Sequence, residues 1–231
     1  MYGRKEVMKV KKDVMILTGA GQIGMAIARR MGYGKKIVIG DKKLENAQKI
    51  AEVMNNAGFD AEAVEMDLSS RESMRNLIAR AMECGDISML VNAAGVSPSQ
   101  ATAEELLQLD ILQLENIRDT LHAYQMAKRC NEKRVMAEAV KWGKRNARIN
   151  SISPGIIVTP LAVDELNGPR DDFYKNMFAN CPAGRPGTAD EVANAAELLM
   201  SDKGAFITGA DFLIDGGATA SYFYGPLKPE K

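Results

Sequence analysis

Apolar and polar positions along this chain switch between two periods. Val14–Thr18 (VMILT) is an unbroken apolar run of strand length bounded by Gly19, and Gln22–Met31 behind it has helical composition. Lys36–Ile39 predicts a second strand stopping at Gly40-Asp41, followed by a helix over Leu44–Asn56. Ala61–Met66 alternates and ends at Asp67. Ser69-Ser70-Arg71-Glu72 then reads as a capping box, in which side-chain oxygens take the amides that a helix start leaves unpaired. Ile87–Val91 (ISMLV) predicts a buried strand closing on Asn92-Ala93-Ala94-Gly95. Ala147–Ile152 and Ala210–Ile214 read as strands, and between them Thr188-Ala189-Asp190-Glu191 caps a helix running toward Met200. Strands interleaved with helices of this length imply βαβ units. The expected fold is α/β and doubly wound, a parallel sheet with helices on both faces. With no repeat, low-complexity tract or linker, residues 1–231 read as a single domain.

Composition narrows the function classes. The 231 residues carry 30 basic and 30 acidic side chains, which removes the electrostatic argument for nucleic acid or an anionic membrane as partner. The basic start MYGRKEVMKVKK is followed by no apolar leader segment. No apolar run approaches the roughly 18–20 residues of a membrane span. Cys84, Cys130 and Cys181 are widely spaced and odd in number, suggesting neither a disulfide framework nor a metal cluster. With His122 the only histidine, no metal site is expected. These features predict a reduced, cytoplasmic protein.

Gly19-Ala20-Gly21-Gln22-Ile23-Gly24 has the G-x-G-x-x-G spacing, which gains meaning from following a strand and opening a helix. The first glycine turns the chain, the second lets backbone amides approach a pyrophosphate, and the third lets helix pack on strand. The anion then rests on the helix N-terminus. Asp41 ends the second strand about 20 residues on, where a carboxylate binds ribose hydroxyls and repels a 2′-phosphate, so NAD is expected over NADP. Lys42 and Lys43 pull the other way, since cations could hold that phosphate; they read equally well as exposed charges opening a helix.

Tyr124 and Lys128 are four apart and so share a helix face. Alone, such a pair is most often a surface feature. Its company changes that: Thr18-Gly19, Asp67-Leu68, Asn92–Gly95, Tyr124-x-x-x-Lys128, then NSISPGIIVTP (Asn150–Pro160) and GAFITGADFLIDGG (Gly204–Gly217). In that order these motifs resemble the short-chain dehydrogenase/reductase family over nearly the whole chain. The glycine loop is a variant, with a tighter first gap than the family's common form.

The resemblance implies an NAD(P)-dependent oxidoreductase moving a hydride between nicotinamide and a carbonyl or secondary alcohol. Tyr124 would be the general acid/base, and the Lys128 ammonium would stabilise its phenolate and hold the nicotinamide ribose. Gly19, Gly21, Gln22, Ile23, Gly24 and Asp41 would bind the adenosine diphosphate half, with Asp67 and Leu68 flanking the adenine. Asn92, Ala93 and Gly95 would run along the cofactor. Pro154, Gly155, Ile157 and Thr159 would border the nicotinamide, Thr159 hydrogen-bonding its carboxamide or a phosphate. Family members are usually dimers or tetramers, so a homodimer or homotetramer is the default. Arg185 resembles a structural position, and His122, two residues before Tyr124, reads as surface or interface. Trp142 and the aromatics of Ser221–Pro226 could be core or subunit contact.

One part of the pattern is absent. The family places a serine on its fifth strand to hold the substrate oxygen and an asparagine on its fourth helix for proton relay, yet no serine occurs between Ser99 and Ser151. Thr102-Ala103-Glu104-Glu105 reads as a capping box for a short helix through Leu109, and residues 110–119 fit no central strand. The 28 residues between Gly95 and Tyr124 are too few for a helix, a return strand and the start of the next helix. Two explanations stand open. Either the natural polypeptide carries a segment near Asp110–Ile111 that this sequence lacks, or the deletion is genuine and the protein is a non-catalytic NAD(P)-binding remnant.

Overall fold

The computed structural model describes residues 12–95, 120–160, 162–163, 167–168 and 171–228, with only the backbone at 120–122. The expected helix from Thr102 to Leu109 and the proposed gap near Asp110–Ile111 lie outside the described residues. The chain divides into two compact units, Met1–Ala94 and Gly95–Lys231, each taken by itself.

The first unit runs β1 (Lys12–Thr18), α1 (Gln22–Met31), β2 (Lys36–Asp41), α2 (Leu44–Asn56), β3 (Asp60–Glu65), α3 (Arg71–Cys84) and β4 (Gly85–Asn92). Its four strands pair in the order β3-β2-β1-β4, all parallel. Burial on both faces explains the unbroken apolar runs in β1 and β2. Val14, Ile16 and Val38 pack with Met66, Leu77 and Ala81 on the α3 side. The alternate residues Met15, Leu17, Ile37 and Ile39 are buried too, as are Ile27 and Ala28 of α1 and Ala47, Ala51 and Met54 of α2. Lys12, Lys36 and Arg80 bridge Asp60 and Glu62 at the start of β3, so the polar ends of these strands are paired.

Two sequence expectations shift here. The cap of α3 is Ser70, whose hydroxyl accepts from the Ser73 amide; Ser69 instead donates its amide and hydroxyl to Asp67. The Ser69–Glu72 box therefore gives way to a cap one residue later, because Asp67 competes for Ser69. In β4, Ile87 and Leu90 remain 39% and 48% exposed, where ISMLV reads as buried. β4 pairs with β1 along one edge, no strand among the described residues lines the other, and a register shift between Val14 and Met15 breaks its alternation.

The second unit contains α4 (Thr120–Gly143), β5 (Ser151–Pro154), α5 (Asp171–Asn180), α6 (Ala189–Met200), a short 3-10 turn (Asp202–Gly204), β6 (Asp211–Ile214) and α7 (Ala218–Tyr224). β5 and β6 pair in parallel from Ser151–Asp211 to Pro154–Ile214. The sequence places the strand at Ala147–Ile152; only its end is strand. Before Ser151 side chains do the work of a ladder. Asn150 donates to the Ile207 carbonyl and accepts from the Ala210 amide. The Arg148 guanidinium donates to the carbonyls of Leu199, Ser201 and Gly204, satisfying acceptors that the end of α6 leaves unpaired. The Thr188–Glu191 capping box forms as expected, and Arg185 pairs with Glu191 at 2.6 Å, holding that carboxyl down at about 2.

Candidate active site

In the first unit the C-terminal ends of the four parallel strands gather the nucleotide motif. Gly19 takes φ +88°, and its amide donates to the Gly40 carbonyl at 2.8 Å, tying the loop to β2. A Cβ there would stand 2.5 Å from the Ala94 backbone. The Ala93 amide donates to the Thr18 carbonyl, and the Thr18 hydroxyl donates to Asn92 Oδ1 at 2.7 Å. Asn92, Ala93 and Ala94 therefore lie against the glycine loop. Thr18 is legible in sequence only as the residue that opens the glycine loop with Gly19; its hydrogen bond to Asn92 is not.

The three glycines differ in the way a dinucleotide requires. A Cβ at Gly21 would meet no atom within 4 Å, so a ligand can approach this backbone closely. A Cβ at Gly24 would press to 2.8 Å on Leu17 and 3.1 Å on Ala93 Cβ, so this glycine lets α1 sit tightly on its strand. Gly21 is the N-cap of α1 and supplies no side-chain cap, leaving first-turn amides facing outward beside exposed Gln22 and half-buried Ile23. These residues fit a dinucleotide pyrophosphate.

Asp41 is fixed by two backbone amides, accepting from Ala20 at 2.8 Å and Lys43 at 2.9 Å. The carboxylate thus braces the glycine loop from the end of β2. The Met66 amide donates to the Asp41 carbonyl, bringing the β3 exit alongside. There Asp67 accepts from Ser69 Oγ at 2.6 Å and from the Ser69 amide, and faces Lys42 Nζ at 3.2 Å. The Ser69 hydrogen bonds, helped by Lys42, hold the Asp67 carboxyl down at about 2. Leu68 is 42% exposed, an apolar side chain beside those charges.

In the second unit Tyr124 and Lys128 stand one turn apart on α4, and Lys128 Nζ lies 5.3 Å from the Tyr124 ring centroid. That is within cation–π reach. A Cβ on exposed Gly95 would come 3.8 Å from the same Nζ, so the ammonium lies beside this glycine. The loop after β5 carries Pro154, Gly155, Ile157 and Thr159. Gly155 passes so close to Asp215 that a Cβ would stand 2.8 Å from its Cα. Ile157 is buried and bridges Gly187. Thr159 Oγ1 accepts from the Ala162 amide and is already engaged as a cap. Asp215, absent from the sequence reading, accepts from the Gly217 and Thr219 amides at the start of α7. Burial pushes its carboxyl up, but those hydrogen bonds outweigh burial and the net direction is down.

Two family models divide the chain between them: short chain dehydrogenase matches residues 13–122, and enoyl-(acyl carrier protein) reductase matches residues 103–219, half of the sequence. The chain belongs to the short-chain dehydrogenase/reductase family. It is accordingly an NAD(P)-dependent oxidoreductase acting on alcohols or carbonyls. Among curated relatives, the short-chain dehydrogenase/reductase bsc3 of Alternaria brassicicola is 29% identical over 266 positions, covering 91% of this chain and 97% of its own. D-threitol dehydrogenase of Mycolicibacterium smegmatis is 31% identical over 250 positions, covering 89% and 92%. The crystal structure of gox2181 superposes with a TM-score of 0.77 at 25% identity, covering 91% and 97%. Both sequence matches run over more positions than the 231 residues this short-chain dehydrogenase/reductase has. Its relatives thus carry residues inside the matched span that it lacks.

Proposed function

We propose that this short-chain dehydrogenase/reductase acts as a single domain that prefers NAD to NADP and interconverts a secondary alcohol and its carbonyl. Tyr124 is the acid/base, its hydroxyl taking the substrate proton on oxidation and returning it on reduction. Lys128 stabilises the phenolate and binds the nicotinamide ribose. The dinucleotide, when bound, supplies the hydride acceptor or donor. Gly19, Gly21, Gln22, Ile23 and Gly24 take its pyrophosphate, Asp41 its adenosine ribose, and Asp67 and Leu68 its adenine. Asn92, Ala93 and Gly95 line its path, while Pro154, Gly155, Ile157 and Thr159 border the nicotinamide. The relative named for D-threitol supports an alcohol on one side of the couple.

The observation that carries this reading is the contrast among the glycines, above all the open backbone at Gly21. Gly21→Ala, with φ −102° and ψ 169° open to any residue, should fold as the parent does. It should weaken NADH binding at least about tenfold, since its methyl stands where a phosphate would approach. Fluorescence titration and thermal unfolding read the two effects separately. Unchanged affinity would remove the glycine loop from the cofactor site.

The residues this chain lacks relative to its relatives belong, on this reading, near Asp110–Ile111 and bear the substrate-holding serine. Mass mapping of proteolytic peptides from the native polypeptide decides the point. A peptide interrupted between Asp110 and Ile111 is expected. A peptide running directly across that junction would make the deletion genuine and favour the cofactor-binding remnant.

A homodimer or homotetramer is proposed on the exposed apolar side chains of the second unit, including Val140 on α4, Leu213 on β6, and Tyr222, Phe223 and Tyr224 on α7. No helix among the described residues is long and apolar enough to cross a membrane. A cytoplasmic site of action is proposed on the three free cysteines.

A further inference from the structure

We infer that Asp67 reinforces the preference of the Asp41 site for NAD over NADP by holding Lys42 away from the 2′ position of the adenosine ribose. This rests on the cofactor reading above and adds a residue to it. Asp41 contributes a fixed negative charge, pinned between the Ala20 and Lys43 amides. Lys42, the next residue, carries the cation nearest that carboxylate in sequence and keeps its side chain 77% exposed. A flexible, exposed ammonium would be available to a 2′-phosphate, as the bare sequence suggests. In the structure it is engaged: Lys42 Nζ lies 3.2 Å from Asp67 Oδ2. Asp67 cannot follow Lys42 outward, because the Ser69 amide and hydroxyl both hold its Oδ1. The register brings the partners together, since β2 and β3 exit side by side with Asp41 opposite Glu65. A 2′-phosphate must therefore compete with Asp67 for Lys42 while facing the charge of Asp41. A plain 2′-hydroxyl meets neither obstacle.

The test is a double-mutant cycle on dissociation constants for NAD⁺ and NADP⁺, measured by calorimetry without substrate. Asp67→Asn keeps the side-chain size and removes the charge. It should improve NADP⁺ affinity relative to NAD⁺ by about three- to fivefold, the scale of an exposed ion pair. The gain should vanish in Asp67→Asn/Lys42→Ala, and should shrink in high salt. Lys42→Ala alone should change the NADP⁺/NAD⁺ ratio less than the same substitution made in the Asp67→Asn background. Thermal unfolding of each variant reports that the fold is intact, and the NADP⁺/NAD⁺ ratio cancels any change in the adenine contact, which both dinucleotides share. Equal shifts for both dinucleotides, or a gain that survives without Lys42, would overturn the inference while leaving the cofactor site standing. A parent chain that binds neither dinucleotide would overturn the cofactor reading, and this inference with it.

Discussion

Tyr124→Phe should lose about 10²- to 10⁴-fold in turnover while binding NADH nearly as the parent does, the span that positioned acid–base catalysis usually contributes. That corresponds to about 3–5 kcal/mol of barrier. The substitution removes a single hydroxyl from a half-buried ring on α4 and leaves the ring and the helix in place. Lys128, whose ammonium stands 5.3 Å from that ring, remains in place for its proposed role at the ribose. Binding and chemistry should therefore separate: a near-parent Kd by fluorescence titration with kcat close to abolished. The only histidine is two positions away on the helix, about 200° around it. Retention of a tenth or more of the parent kcat would exclude Tyr124 as the acid/base. A parallel loss of cofactor affinity would mean the hydroxyl serves binding instead.

How far the sequence reaches depends on whether the signal is local. The bounds of α1 and α2 follow from apolar period and glycine placement, and β1 and β2 differ from their expected spans by no more than two residues. The Thr188–Glu191 box was legible because both its hydrogen bonds close within one turn. Beyond the exposed face of β4, the misplaced bounds share a cause, which is competition from a partner distant in sequence or unseen in the pattern. Ser69 looks like a cap until Asp67 claims it. Ala147–Asn150 looks like strand until Arg148 and Asn150 turn to carbonyls some 50–60 residues away. The same distinction runs through the candidate site. The glycine spacing and the Tyr124–Lys128 interval can be read from sequence. The Lys42–Asp67 pair, which joins the exits of two strands, cannot.

Gly19→Ala should destabilise the protein severely, in contrast to Gly21→Ala two residues on. Two costs add at Gly19. Its φ of +88° lies where an L side chain is disfavoured by about 1–2 kcal/mol. The new methyl would also stand 2.5 Å from the Ala94 N and Cα and 2.8 Å from the Ala93 carbonyl carbon. Those are backbone atoms, so no side-chain rotation relieves the clash. Either the loop leaves the Gly40 carbonyl or the Asn92–Ala94 segment moves off β1, breaking the Ala93–Thr18 hydrogen bond. Overpacking of this kind adds about 1–3 kcal/mol. The sum, about 2–5 kcal/mol, is a large share of the 5–15 kcal/mol typical of a folded domain. At about 2–4 °C per kcal/mol for a chain of this size, the melting temperature should fall by about 4–20 °C. NADH binding should weaken as well, because the displaced loop carries the Gly21 backbone. A melting temperature within about 2 °C of the parent would mean that Asn92–Ala94 does not rest on the glycine loop in solution. Loss of stability at Gly19 with none at Gly21 would assign the first glycine to packing and the second to the ligand.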